Sequence, residues 1–421
     1  MKKDIHKFLL LIAMSFFWSC SEEDDSTIKS APLEWVQLGS DFYGQEDGDQ
    51  LGWSVSLSPD GSTIAMGAIS SDVNGFGSGQ VRIFTLHGKD YEQRGNDING
   101  KVGDESIGRS ISLSSDGNIV AFKGGFINSF IRIYQWDGND WLQLGKDIKG
   151  GNSQSQFSSP IDLSHDGKTL VVGNVPSDND GNQSVGTTKV YRWNRIEWEQ
   201  IGNSINGKFP YDYSGNSVSI SSDGNSVAIG ANGNDDNEIN SGQVRVFDWD
   251  GSSWKQRGMG INGEKEGDEF GISVSLSEDG SFIAIGSIYN DDNGNDSGHT
   301  RIFNWDGTSW VQVGNNILGD AEDRSGNSVS ISADGNMVAI GASSNDYGES
   351  NSGLTKVYKW NGSFWTQIGN DINGQTRSGQ SGFSVSLSSE GSTVVIGAPF
   401  DNGDGDVQGS VKVFTQQEVV Q

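Results

Sequence analysis

The stretch from Gly271 to Gly319 decides the fold, because it holds the clearest copy of a unit that recurs along the chain. It reads Gly271-Ile-Ser-Val-Ser-Leu-Ser277, Asp279-Gly280, Phe282-Ile-Ala-Ile-Gly286, a polar loop to Gly298, Thr300-Arg-Ile-Phe-Asn-Trp305, Asp306-Gly307 and Trp310-Val-Gln-Val-Gly314. Apolar and polar residues alternate within each run, which is typical of β-strands with one buried face. Asp-Gly between two such runs indicates a tight hairpin, since glycine accepts a positive φ without steric cost. The unit therefore predicts four short strands.

Seven copies of this unit follow one another. The Asp-Gly marker recurs at steps of 56, 50, 57, 56, 55 and 56 residues, at Asp60, Asp116, Asp166, Asp223, Asp279 and Asp334, with Glu390-Gly391 as the seventh copy. Four strands at this period are typical of one blade of a β-propeller. The sequence therefore predicts an all-β, seven-bladed β-propeller with four-stranded blades over residues 32–421.

The fourth strand of each unit indicates how the ring closes. Its signature is an aromatic residue, any residue, Gln, any residue and Gly, and six units carry it, but the seventh ends at Phe414 without one. A single displaced copy, Trp35-Val-Gln37-Leu-Gly39, stands at the opposite end of the chain. We expect this N-terminal strand to complete the last blade, which removes the free sheet edges of an open array.

The composition narrows the function classes. The formal charge of −28 disfavours nucleic acids and anionic lipid surfaces, so no nucleic-acid partner is expected. One cysteine, Cys20, excludes an internal disulfide framework. The four histidines share no repeat position, which argues against a histidine metal site or a Ser-His-Asp triad: His6, His87, His165 and His299.

The N-terminus is interpreted as a targeting segment. Residues 1–19 combine three lysines with a short apolar run, and Cys20 and an acidic stretch to Asp25 follow. This segment resembles a bacterial lipoprotein signal, and the acidic stretch is similar to the surface-export signal of certain Gram-negative lipoproteins. We expect lipidation of Cys20, an acidic tether over 20–31, and an outer-membrane lipoprotein on the cell surface that contacts the membrane through its anchor only. A plain secretory signal with an incidental free cysteine is the alternative.

Two further stretches resemble FG-GAP repeats: Gly271-Ile-Ser-Val-Ser with Ile285-Gly-Ser-Ile, and Gly382-Phe-Ser-Val-Ser with Ile396-Gly-Ala-Pro399. Such repeats build the propeller of the integrin α subunit and of many bacterial surface proteins. The resemblance covers about residues 32–421 and implies a seven-bladed propeller, extracellular adhesion or ligand binding, and often calcium. In that family a longer Asp-rich loop between the first two strands holds the ion. Ser-Glu-Asp279-Gly280 is too short to supply six to eight oxygen ligands, so at most weak Ca²⁺ binding is expected.

Long polar loops are predicted on one rim of the propeller, where the connections between strands two and three meet the links between blades. The fifth residue after the strand-two glycine is an aspartate in five blades: Asp72, Asp178, Asp235, Asp291 and Asp346. These aspartates either form Asx turns or contact cations or polar ligands. The strongest local carboxylate groups, and hence the weak metal candidates, are Asp291, Asp292 and Asp296 in one blade and Asp401, Asp404 and Asp406 in another.

A second candidate site lies at the mouth of the central channel. The residue that opens each innermost strand varies, as Trp53, Arg109, Ser159, Asn216, Ile272, Asn327 and Phe383. In a closed ring, Phe383, Trp53 and Arg109 are neighbours and could stack on a sugar or a partner side chain. A plug of packing between blades is the alternative. Blades 2 and 3 break the pattern with Lys123-Gly-Gly-Phe-Ile-Asn-Ser129 and Ser158-Ser159-Pro160, so the rim is asymmetric.

These features favour a binding or adhesion module on a monomeric propeller, with a glycan or a surface or extracellular protein as its ligand. A carbohydrate-active enzyme on a propeller scaffold, either a glycoside hydrolase or a polysaccharide lyase, is the second hypothesis. A structural subunit of an envelope complex is the third. No catalytic residue is assigned, because no unmatched pair of carboxylates stands out in the repeats.

Overall fold

The computed structural model describes residues 33–125, 129–149, 160–174, 184–346, 349–402 and 407–418. Within these ranges every regular element is a β-strand, and no helix that could cross a membrane is found. The strands form seven antiparallel sheets, and each sheet has four main strands and one additional strand of two residues. The predicted all-β, seven-bladed propeller is confirmed, and the short fifth strand is an addition that the sequence did not indicate.

The chain enters through β1 (Leu33–Gln37) and β2 (Phe42–Tyr43). Blade 1 contains β3 (Leu51–Leu57), β4 (Thr63–Ala68), β5 (Gln80–His87), β6 (Asp90–Gln93) and β7 (Ile98–Asn99). Blade 2 contains β8 (Ile111–Leu113), β9 (Ile119–Gly124), β10 (Phe130–Trp136), β11 (Trp141–Gln143) and β12 (Ile148–Lys149). Blade 3 contains β13 (Ile161–Leu163), β14 (Thr169–Asn174), β15 (Thr187–Trp193), β16 (Trp198–Gln200) and β17 (Ile205–Asn206).

Blade 4 contains β18 (Ser217–Ile220), β19 (Ser226–Ala231), β20 (Gln243–Trp249), β21 (Trp254–Gln256) and β22 (Ile261–Asn262). Blade 5 contains β23 (Ser273–Leu276), β24 (Phe282–Ser287), β25 (His299–Trp305), β26 (Trp310–Gln312) and β27 (Ile317–Leu318). Blade 6 contains β28 (Ser328–Ile331), β29 (Met337–Ala342), β30 (Leu354–Trp360), β31 (Trp365–Gln367) and β32 (Ile372–Asn373). Blade 7 contains β33 (Ser384–Leu387), β34 (Thr393–Ala398) and β35 (Ser410–Glu418).

The N-terminal strand closes the ring as predicted. β1 pairs antiparallel with β35, so that Trp35 lies opposite Gln416, and β2 pairs with the start of β35. The Trp35 indole Nε1 donates a hydrogen bond to the carbonyl oxygen of Ile368 at 2.9 Å, which links blade 7 to blade 6. The first and last strands of the propeller therefore belong to one sheet, and the edge strand that blade 7 would otherwise expose is covered.

Outer strands connect neighbouring blades through their tryptophans. Trp254 on β21 packs against Trp249 with ring centroids 5.3 Å apart, and its indole Nε1 donates to the carbonyl oxygen of Ile201 in blade 3 at 3.1 Å. The glutamine of the same signature serves its own turn, since Gln256 Nε2 donates to the carbonyl oxygen of Gly258 at 3.1 Å. The tryptophan and glutamine of this signature are thus packing and turn residues.

Around the channel, serine hydroxyls connect the innermost strands of neighbouring blades by hydrogen bonds. The Leu276 backbone N–H, for example, donates to Ser219 Oγ of the preceding blade at 3.1 Å, and Leu57 does the same to Ser386 Oγ at 3.1 Å. A small side chain is needed because seven strands converge here and each hydroxyl must reach the next backbone. The Ser-Val-Ser run of the repeat is therefore the channel strand.

Candidate functional site

An open cavity lies on the long-loop rim beside the channel mouth. Its volume is about 750 Å³, and it is formed by the loop between β4 and β5, the link between blades 1 and 2, and residues from blades 2 and 7. The lining residues include Asp47, Gln50, Trp53, Asp72, Phe76, Asp104, Arg109 and Phe400. Aromatic, cationic and acidic side chains thus surround one open volume, which is the composition of many polar-ligand sites.

Trp53 lines this cavity and contacts three other side chains. Its ring centroid is 5.0 Å from that of Phe383 and 6.2 Å from that of Phe400, and Arg109 Cζ lies 5.7 Å from the Trp53 ring. The three residues predicted from the repeat register are therefore brought together. Trp53 and Arg109 line the cavity, whereas Phe383 packs beside Trp53 and is not among the lining residues.

Phe400 belongs to the site and was missed by sequence reasoning. It follows Ala398-Pro399 in the loop after β34 and contacts both Trp53 and Phe383, with ring centroids 6.2 and 6.3 Å away. Its place in the repeat gave no signal, because Phe126 and Tyr289 are aromatic at the equivalent position, whereas Ser70, Gly233 and Ser344 are not. Phe76, which is 81% exposed, is a further aromatic residue that lines the cavity.

Arg109 is the cationic residue that lines the cavity, and Lys123, which is not among the lining residues, is buried in the same blade. Burial lowers the pKa of Arg109 to about 10, and burial together with the charge of Arg109 lowers the pKa of Lys123 to about 8. Both side chains remain largely protonated at pH 7. Asp47, Asp72 and Asp104 line the same cavity, so the Arg109 guanidinium shares it with three aspartates.

The repeated loop aspartates have a structural role. Oδ1 of the aspartate accepts a hydrogen bond from a backbone N–H five residues later in four blades: Asp72 from Gly77 at 2.6 Å, Asp235 from Asn240 at 2.7 Å, Asp291 from Asp296 at 2.8 Å and Asp346 from Asn351 at 2.7 Å. The fifth, Asp178, lies outside the described residues. These bonds fix the long loops, which corresponds to the turn-forming interpretation of the pattern.

The predicted metal candidates are held by protein contacts. Asp292 pairs with Lys265, and Asp296 accepts from Arg324 at 3.1 Å. Asp401 accepts from Thr376 Oγ1 at 2.9 Å and from Ser410 Oγ at 2.7 Å. Asp404 and Asp406 lie outside the described residues. Within the part of the chain that the structure describes, no three His, Cys, Asp or Glu side chains are grouped to hold a metal ion, and calcium binding stays a prediction.

A second opening lies at the other end of the channel, on the rim of tight Asp-Gly turns. It has a volume of about 160 Å³ and is lined by the channel serines and by Asp162. Asp162 takes the place that a serine holds in the other six blades. Its carboxylate accepts from the Ile220 N–H at 2.9 Å and from Ser112 Oγ at 2.9 Å, and burial raises its pKa.

The mouth of this second opening carries His165 and Glu278, which occur in single blades, and Ser389, whose position also holds a serine in blades 2 and 4. Glu278 Oε1 accepts from Ser389 Oγ at 2.5 Å and lies 3.8 Å from His165 Nδ1. All three precede the Asp-Gly turn of their blade, a position that also holds Pro59 and Ala333. Ser389 donates to Glu278 rather than to His165, so the trio lacks the nucleophile–base contact of a hydrolase triad. The sequence analysis did not identify this cluster, because its members belong to three different blades.

The comparison with known families adds to this geometry. The FG-GAP repeat model matches residues 209–247 and 262–303, which run from the preceding link into the third strand of blades 4 and 5. Blades 4 and 5 carry FG-GAP repeats. The other five blades repeat the same strand order, which supports the resemblance predicted for the whole ring. No curated protein matches the chain. A propeller of this kind is compatible with a binding module, and its long-loop cavity is the candidate site.

Proposed function

We propose that this protein is a surface-displayed lipoprotein whose FG-GAP propeller binds a glycan in the long-loop cavity. The observation that carries the proposal is the cluster of Trp53, Phe400 and Arg109 along an open cavity of about 750 Å³. The cluster combines side chains from three neighbouring blades, since Phe400 belongs to blade 7, Trp53 to blade 1 and Arg109 to blade 2.

The chemistry of the cavity suits a sugar. An aromatic face packs against the C–H face of a pyranose ring, and carboxylate and amide groups accept and donate hydrogen bonds to its hydroxyls. Trp53 supplies the aromatic face, while Asp47, Gln50, Asp72 and Asp104 supply polar atoms around it. Because the cavity is open, it can admit the end or a side branch of a longer glycan.

We infer a binding role rather than catalysis. A glycosidase needs a carboxylic acid and a carboxylate on either side of the scissile bond. Asp47, Asp72 and Asp104 line the cavity, but the side chains in ring contact with Trp53 are Phe383, Phe400 and Arg109. Aromatic and guanidinium groups bind and orient a ligand, and they supply no general acid at neutral pH.

Surface display rests on the predicted anchor at Cys20. That residue, the signal peptide over 1–19 and the tether over 20–31 lie outside the described residues. Such a tether would leave the whole propeller, including the long-loop rim, free to meet a ligand at the cell surface.

A glycan-array screen of the mature domain, followed by calorimetric titration, tests the proposal. Truncation of an aromatic anchor costs about 2 kcal/mol or more, so Trp53→Ala should weaken binding by roughly 30-fold. Phe364→Ala is the matched control, because Phe364 is an exposed aromatic residue beside the outer strand β31. Full affinity in a folded Trp53→Ala, Arg109→Ala double variant would refute the cavity as the site. A fall in affinity that accompanies a collapsed melting temperature would support a packing plug instead.

A further inference from the structure

Phe76 is an aromatic side chain displayed to solvent in the long-loop cavity. It lies in the loop between β4 and β5, lines the cavity and is 81% exposed. Transfer of a phenyl ring from water into an apolar contact is favourable, so a ligand that covers Phe76 gains binding free energy.

The backbone around Phe76 is fixed by hydrogen bonds on both sides. The Gly77 N–H donates to Asp72 Oδ1 at 2.6 Å, and the Phe76 carbonyl oxygen accepts the Asp104 N–H at 2.8 Å. The Gly77 carbonyl oxygen accepts the Ser106 N–H, also at 2.8 Å. Asp104 and Ser106 belong to the link between blades 1 and 2, so the loop and the link hold each other. A backbone fixed in this way lowers the conformational entropy that a ligand contact costs.

The fold does not require an aromatic side chain at this position. The loops of blades 4, 5 and 6 have the same length as that of blade 1, and the residues equivalent to Phe76 are Ile239, Asn295 and Ser350. All four side chains are exposed, and two of the four are polar. Packing within the blade therefore does not account for the phenyl ring.

The same loop is apolar at a second exposed position. Val73, which is 53% exposed, stands where blade 4 has Asp236 and blade 5 has Asp292. Each of those aspartates pairs with a lysine of the preceding link. Blade 1 thus presents Val73 and Phe76 to solvent on a rim where other blades present ion pairs, which favours contact with the apolar face of a partner.

Trp53 and Phe76 offer two separate aromatic faces to one cavity. Within the described residues, the ring contacts of Trp53 are to Phe383, Phe400 and Arg109, and Phe76 is not among them. The cavity volume of about 750 Å³ lies within the range of about 300–1,000 Å³ that is typical of sites for drug-sized ligands. The cavity can therefore enclose more than one sugar ring.

We propose that Phe76 is a second sugar-binding platform, and that the ligand is an oligosaccharide without acidic groups, with one ring against Trp53 and another against Phe76. This inference rests on the proposed glycan-binding function and names the class of glycan. Successive pyranose rings each offer an apolar C–H face, so one chain can meet both aromatic residues. Asp47, Asp72 and Asp104 line the same cavity, and carboxylates accept hydrogen bonds from hydroxyls but repel an acidic sugar.

The probes are three uncharged tetrasaccharides, cellotetraose, laminaritetraose and mannotetraose, each compared with the methyl glycoside of its monosaccharide. Tetragalacturonic acid is the charged comparison. Calorimetry on the wild type should show that at least one uncharged tetrasaccharide binds about tenfold or more tightly than its monosaccharide, the effect of one additional aromatic contact.

Phe76→Ala should bring the tetrasaccharide close to the affinity of the monosaccharide, whereas Phe76→Tyr should keep the difference. Trp53→Ala should weaken both ligands. Because Phe76 is 81% exposed, its truncation should leave the melting temperature unchanged. Ile239→Ala is the matched control, since Ile239 is 60% exposed at the equivalent position of blade 4 and does not line the cavity.

The outcomes separate the second platform from the cavity. A wild type that binds no uncharged tetrasaccharide more tightly than its monosaccharide, or a folded Phe76→Ala variant that keeps the difference, overturns the second platform. If Trp53→Ala still weakens binding in that case, the proposed function survives; if it does not, the cavity assignment fails as well. Tighter binding of tetragalacturonic acid than of all three uncharged probes overturns the assignment of a ligand without acidic groups. Failure of every probe to bind overturns the glycan class itself.

Discussion

Closure of the ring can be tested by a covalent bond between its first and last strands. Glu34 on β1 lies directly opposite Gln417 on β35, and both side chains are exposed. Directly opposed residues of antiparallel strands have Cα atoms about 4.5–5.5 Å apart, inside the range of roughly 4.4–6.8 Å that a disulfide spans. We therefore expect Glu34→Cys with Gln417→Cys to form an intramolecular disulfide, made in a Cys20→Ala background so that no other thiol competes.

The expected stabilisation follows from the enclosed loop. The bond would close a loop of about 380 residues, for which chain entropy gives an upper limit of roughly 6 kcal/mol in the free energy of unfolding. Engineered bonds commonly deliver less, so a rise in the urea midpoint that a reductant reverses is the expected result. Thiol titration and non-reducing electrophoresis report bond formation.

The control variant pairs Glu34→Cys with Glu418→Cys, because adjacent strand residues point to opposite faces and their sulfur atoms cannot meet. Persistent free thiols in the first pair, with the protein folded, would refute the pairing of β1 with β35. Disulfide-linked dimers would refute closure within one chain and indicate that the N-terminal strand is exchanged between copies.

Three further predictions concern the channel, the anchor and calcium. Asp162→Ser restores the repeated serine, and it should stabilise the protein at neutral and higher pH. Burial raises the pKa of Asp162 in the folded protein. The free energy of unfolding of the wild type therefore falls as pH rises from the ordinary carboxyl range through that raised pKa. Melting curves recorded across this pH range should show that the variant lacks this pH dependence. Cys20→Ala should abolish metabolic lipid labelling and membrane association; a labelled, membrane-bound variant would disprove the anchor. Millimolar calcium should raise the melting temperature only slightly, as expected for sites of about 10⁻⁴–10⁻³ M, and Asp404→Asn with Asp406→Asn should reduce that rise; an undiminished rise would place the site elsewhere.

The architecture was predictable because its signals are local and repeated seven times. The Asp-Gly turns fix one hairpin per unit, and the displaced Trp35-Gln37 copy indicates closure without any knowledge of distances. The short strands such as β7 (Ile98–Asn99) could not be predicted, since two residues carry no periodicity and pair only after the third strand is in place.

The candidate site was predictable only in part. The equivalent positions of Trp53, Arg109 and Phe383 in their repeats were enough to predict that these residues lie in adjacent blades. The role of Phe400 depends on the path of a loop, which sequence patterns do not determine.

The cluster at the second channel opening was missed for a different reason. Asp162, His165, Glu278 and Ser389 belong to blades 3, 5 and 7, and they meet across the channel only when the ring is complete. Each one alone is an ordinary polar residue beside a turn. Their proximity is a property of the closed propeller, and no local pattern in the sequence carries it.

A crystal structure of the mature propeller soaked with the tightest glycan from the array tests the central claim most directly. The account predicts a sugar ring against the face of Trp53, in the cavity that Arg109 and Phe400 also line. Ligand density at the tight-turn opening near Glu278, or along the outer strands with the long-loop cavity empty, would contradict it.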